Sequence, residues 1–111
     1  MMSTHDADAF GHVWQLYGYT ILDSHGAHVG PVNKVWTDNA TGTLTFIGLR
    51  TGWLLGTTHV IPAAHAPVDD VARSIRVPYP VDRIRNAPSH NTDIPLTDKR
   101  KEEVATYYDH H

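Results

Sequence analysis

The sequence predicts an all-β protein: a small, strongly bent antiparallel β-barrel of about six strands, closed off by a short C-terminal helix. Three observations carry this expectation. Between Tyr19 and Gly52, three strand-like runs are separated by two turn signals, which is the pattern of a β-meander. In the middle run, Val32 and Val35 stand an odd number of residues apart, so a regular strand, whose side chains alternate between faces, cannot place both on one face. A bulge between Gly30 and Lys34 would reconcile them, and bulges add twist and help a sheet curl. Without one, Val35 or Trp36 faces outward.

Taken in order, residues 1–12 show little periodicity and read as a flexible lead, with Phe10 as an anchor candidate. Residues 13–79 form the predicted β domain. Val13 to Tyr19 is aromatic-rich and reads either as an extra strand or as the start of a long first strand interrupted at Gly18. Tyr19 to Leu22 is rich in strand formers and stops at Asp23-Ser24-His25-Gly26, whose short polar side chains and glycine suit a reversing turn. Asp38 to Gly42 is a loop of hairpin length, and Leu44 to Leu49 follows as the next strand. Trp53-Leu54-Leu55 and His59-Val60-Ile61 are short apolar runs consistent with buried strands, the second closed by Pro62. Ala63 to Asp70 reads as a small-residue turn with a helical alternative, and Ser74 to Val77 as a last strand stopped by Pro78.

Residues 80–111 form the predicted helical extension, packing on the barrel or on a partner. Pro80 can open a short helix through Val81, Ile84 and Arg85, ended by Asn86-Ala87-Pro88. Ser89 to Pro95 reads as a polar connector. Thr97 can cap a final helix in which Val104, Tyr107 and Tyr108 share one face, with Leu96 placed as a staple before it.

The 111 residues suffice for one domain, which at this size buries roughly 65% of the surface of its unfolded chain. The absence of cysteine excludes a disulfide framework, a thiolate metal site and a cysteine nucleophile. No apolar run approaches the roughly 20 residues of a membrane-spanning helix, and the polar, acidic start MMSTHDADAF lacks the plan of a signal peptide, so a soluble cytoplasmic protein is expected. The net charge of -3 is uneven: Lys34 and Arg50 face six aspartates in residues 1–71. That balance argues against nucleic-acid binding, which needs several phosphate-contacting cations. The one basic run, Lys99-Arg100-Lys101, is followed at once by Glu102 and Glu103 and reads as a solvated helix face.

Among residues that could carry chemistry, the nine histidines stand out, and His25 and His28 form the tightest pair. They are the metal-ligand candidates, but a structural zinc site takes four ligands and no clear remainder lies nearby, so no metal or cofactor is expected. Asp23, Ser24 and His25 are the residue types of a hydrolytic triad, but consecutive turn residues cannot aim at one another in that geometry. With no phosphate-binding loop, dinucleotide fingerprint or zinc-protease motif, the expectation is not an enzyme. Trp14, Trp36, Trp53 and Phe46 suit core or barrel-wall positions. Tyr79, Pro80, Tyr107 and Tyr108 are the partner-binding candidates, because tyrosine joins apolar area to a polar tip. The same residues could instead pin the last helix to its own barrel.

The segments Ile21-Leu22-Asp23-Ser24-His25-Gly26, Val29 to Asp38, Gly42-Thr43-Leu44, Gly52, Gly56-Thr57 and Val60-Ile61-Pro62-Ala63 together resemble the PRC-barrel domain. That fold is shared by the photosynthetic reaction-centre H subunit and the C-terminal part of a ribosome maturation factor. Ile75 to Tyr79, Ile84 to Pro88 and Tyr107-Tyr108 are similar to stand-alone, stress-associated bacterial members, and the likeness runs from about Tyr17 to Tyr108. It implies a barrel of about six strands. It also implies a non-catalytic interaction or assembly module, most naturally a homodimer that also meets another protein partner. Association with RNA or the ribosome is the alternative, and His-mediated metal binding a more distant one. The chain departs from the subgroup where Lys99-Arg100-Lys101 replaces the acidic residues expected at the start of the last helix.

Overall fold

A ten-residue strand, His28–Thr37, bends through the middle of the molecule and belongs to both halves of its sheet. The structure, a computed structural model, describes residues 15–50, 58–91 and 94–109. Within them, β1 (Thr20–Leu22), β2 (His28–Thr37), β3 (Leu44–Leu49), β4 (Thr58–Pro62), β5 (Val68–Asp69), β6 (Ser74–Arg76) and β7 (Ser89–His90) accompany two helices, α1 (Val81–Arg85) and α2 (Asp98–Asp109). The expectations for the lead at residues 1–12, for Trp14 and for the strand Trp53-Leu54-Leu55 lie outside the described residues.

The strands form one sheet in the order β5-β6-β1-β2-β3-β4-β7. The expected strand-rich fold with a C-terminal helix is present, and the sheet departs from the expected count and from purely antiparallel pairing. Among the described residues there are seven strands in one open sheet, and β1 and β6 run parallel. Ser74–Arg76 is not the last strand: it returns beside β1, pairing Ile75 with Ile21, while β5 covers its other edge. Ser89–His90, expected as connector, pairs antiparallel with Thr58 and His59 and extends the far edge.

The bend of β2 has the expected cause. Val32 pairs with Leu49 and Lys34 with Gly48, leaving Asn33 as the extra residue of a bulge. The bulge resets the side-chain alternation, so Val32 and Val35 are both buried. A second irregularity at Val29 lies where β2 pairs with β1, and a third at Thr45 sits opposite Trp36 and Thr37. The Thr45 hydroxyl returns to the Trp36 carbonyl at 3.1 Å. Gly48 is required by close approach: a Cβ there would stand 2.6 Å from the Thr58 methyl and 2.9 Å from Lys34 Cβ.

Leu16 to Tyr19 forms a turn, not a strand, with the Tyr19 N–H donating to Leu16 O at 2.9 Å. Gly18 takes a φ of +88°, which side-chain-bearing residues avoid, and the chain then runs into β1. The core is aliphatic. Ile21, Ile47, Leu49, Ile61, Ile75 and Ile84 are the largest fully buried side chains, whereas Trp36 and Phe46 pair across β2 and β3 and only half bury against that core. Val60 and Ile61 are consecutive, so the pleat points them to opposite faces, yet both are fully buried. Both helices pack against β4 and help to cover it.

Candidate partner interface

The C-terminal surface is assembled by α1, α2 and the segment that leads into α1. Pro80 is extended (φ −71°, ψ 156°), and its carbonyl accepts the N–H groups of Arg83 and Ile84 at 3.0 and 3.2 Å, which starts α1. Ile84 plugs the helix into the core. The Asn86 side chain ends the helix by donating to Asp82 O at 2.8 Å. Thr97 caps α2 as expected: its hydroxyl accepts the Arg100 N–H at 3.2 Å and its carbonyl the Lys101 N–H at 2.9 Å. Leu96, just before the cap, is buried.

Four residues along α2, Val104 and Tyr108 share the buried face. The Tyr108 ring lies between two others, with centroids 4.3 Å from Tyr79 at a 46° tilt and 5.0 Å from Tyr107 edge-on. At 2% exposure Tyr108 has no surface to offer a partner, so it pins the helix to the chain's own core. Its buried hydroxyl has no hydrogen-bond partner, and burial, with the neighbouring phenols of Tyr107 and Tyr79, pushes its pKa far above the ordinary range. Burial also raises Tyr79, helped by the Asp109 carboxylate.

Tyr107 is held differently. Its hydroxyl donates to Arg83 O at 2.6 Å, Arg83 Nη1 donates back to Tyr107 O at 3.0 Å, and the guanidinium stands 5.4 Å from the Tyr107 ring centroid. This reciprocal clamp joins α1 to α2. Beside it lies a cleft of about 340 Å³ lined by Pro80, Asp82, Arg83, Asn86 and Tyr107. Of the four predicted interface residues, Tyr79 and Tyr107 are half-buried, Pro80 is exposed and Tyr108 is interior. Sequence reasoning missed Arg83; only its three-residue spacing from Asn86 and its place on a short helix mark it, and neither points to Tyr107.

The turn at Asp23 organises the opposite side of this segment. Asp23 Oδ1 accepts the N–H groups of His25 and Ala27 at 2.8 and 2.9 Å. The Ala27 N–H first, then those of His25 and Val81 with the His25 charge, hold its carboxyl below the usual range, although burial works against them. The Ser24 N–H donates to Tyr79 O at 3.0 Å, which ties the β1–β2 turn to the segment leading into α1. Asp23 thus acts as a turn acceptor. His25 and His28 are both exposed, and no group of three or more potential metal-binding side chains occurs among the described residues.

The basic run on α2 is engaged internally in part. Arg100 pairs with Glu103 at 2.9 Å and donates to the Ser89 carbonyl of β7, and Lys101 lies 3.8 Å from Asp98. No helix among the described residues is long and apolar enough to cross a membrane. The chain matches no protein-family model, and no curated protein matches it.

Proposed function

We propose that the protein is a non-catalytic assembly module of the PRC-barrel type that pairs with a second copy of itself through its C-terminal surface and, as that dimer, meets a further protein partner. The observation that carries this reading is the double use of β2. Its bulges bend one strand through both halves of the sheet, and the stretch Val29 to Asp38 that resembles the PRC-barrel domain is that strand. The Ile21 to Gly26 stretch supplies β1 and the Asp23-organised turn, and Val60 to Ala63 supplies most of β4. In this reading the bent sheet is the barrel wall. Pro80, Tyr107 and the exposed part of Tyr79 form the contact, with Arg83 beside them. Aromatic residues and arginine are the types enriched in such patches. Tyr108 supports the contact from below.

The test is molar mass in solution as a function of concentration, for the wild type and for Tyr107→Ala, with circular dichroism to show that the variant is folded. A wild-type dimer whose dissociation constant rises about tenfold or more in Tyr107→Ala is expected, as for truncation of a central interface residue. A monomer at every concentration, or a folded variant with unchanged self-association, would overturn the homodimer or this placement respectively.

A further inference from the structure

A second cleft, of about 530 Å³, opens where three distant segments converge: the turn after β4, the end of β6 and the β1–β2 turn. Its frame is fixed by the main chain. The Ala66 N–H donates to Ala63 O at 3.1 Å, the Arg76 N–H to Pro67 O at 3.0 Å and the Ser24 N–H to Tyr79 O at 3.0 Å. Ala66, Pro67 and Pro78 give it apolar walls, over the fully buried Val77. Ser24, His65 and Arg76 are its polar members, and His65 is held at φ 65°, a conformation uncommon for a residue with a side chain.

Arg76 decides what such a cleft would take. Its side chain is exposed, and Nη2 donates to the Ser24 carbonyl at 2.6 Å, which orients the guanidinium without neutralising it. Among the described residues it meets no carboxylate. A guanidinium has five N–H donors in a rigid fork, so anchoring through one nitrogen leaves donors for a planar anion. The volume falls within the range of small-molecule sites.

We propose that this cleft binds a small organic carboxylate carried on a compact apolar body, with Arg76 meeting the carboxylate and the alanine and proline walls covering the body. One cation beside apolar walls matches a monoanion with an apolar part better than a multiply charged, strongly hydrated phosphate. The site shares no lining residue with the cleft beside Tyr107 and does not depend on the assembly reading.

Amide chemical shifts of the full chain, titrated with benzoate, with its uncharged analogue benzamide and with inorganic phosphate, test the proposal. Benzoate should give saturable shifts at Ala64 to Ala66 and Val77 at millimolar concentration, while benzamide and phosphate should not. Arg76→Gln should weaken benzoate binding about tenfold or more, the loss typical of a charge-assisted hydrogen bond. Ala64→Leu, which keeps Arg76 and its anchor, should also weaken it by filling the cleft, and it carries the test if Arg76→Gln does not fold. Absence of saturable benzoate shifts, equal binding by benzamide or phosphate, or undiminished binding by either folded variant would overturn the proposal.

Discussion

The two halves of the sheet share β2 but are built by different kinds of pairing. On one side, β2, β3 and β4 pair antiparallel with successive neighbours, and only short connections separate β2 from β3. On the other, β1 receives β6 in parallel after the chain has travelled through β2, β3, β4 and β5. Both halves bury isoleucines completely, Ile47 and Ile61 in the first and Ile21 and Ile75 in the second. They differ in their support. The β1–β6 pairing is three residues long and is flanked by the two-residue edge β5, both of whose residues are exposed. Equal burial therefore does not imply equal local stability, because the ladder that holds a buried residue in place differs in length and edge protection.

The largest effects come from truncating one isoleucine in each half. Ile61→Ala and Ile75→Ala should each destabilise by about 2–5 kcal/mol, read from denaturant midpoints. Native-state amide exchange sharpens the comparison. The Val77 N–H, which donates to Leu22 O at 3.0 Å, should exchange faster than the amides of the β3–β4 ladder. Identical protection would make the sheet one cooperative unit and remove the distinction.

A smaller effect tests the Asp23-organised β1–β2 turn. Because the folded pKa of Asp23 is lowered, its contribution is present above the ordinary carboxylate value and is lost as pH falls through the folded value. Asp23→Ala should lower Tm at neutral pH, and the difference from wild type should shrink as the pH falls from the ordinary carboxylate range through the lowered folded value. A pH-independent difference would mean that the charge of Asp23 contributes nothing beyond its shape.

The smallest effect distinguishes two adjacent tyrosines. Tyr108→Phe removes a buried hydroxyl that has no partner, so stability should be unchanged or rise by up to about 1 kcal/mol. Tyr107→Phe removes the 2.6 Å bond to Arg83 O and should cost about 0.5–1.5 kcal/mol. Because burial raises the folded pKa of Tyr108, stability should fall as the pH rises above the ordinary phenol value of about 10 toward the folded value, so the Phe variant should also blunt alkaline unfolding. A destabilised Tyr108→Phe would reveal a partner for that hydroxyl.

Where the determinants are local, they were legible in the residues themselves. The turn at Asp23 to Gly26, the loop before Leu44, the bulge between Val32 and Lys34, the cap at Thr97 and the Val104 to Tyr108 face all follow from side-chain chemistry or periodicity within a few positions. The phase of the two valines was readable because a strand tolerates only one alternation on a buried face. Tertiary structure alone decided that β6 lies parallel to β1, that the two residues of β7 join β4, that Tyr107 is clamped by Arg83 while Tyr108 is buried, and that Arg76, His65 and Ser24 share a cleft. Strands of two or three residues are too short to carry a periodic signal. Long-range pairing depends on which surfaces remain uncovered after the local elements form, a property of the packed chain that no short stretch contains.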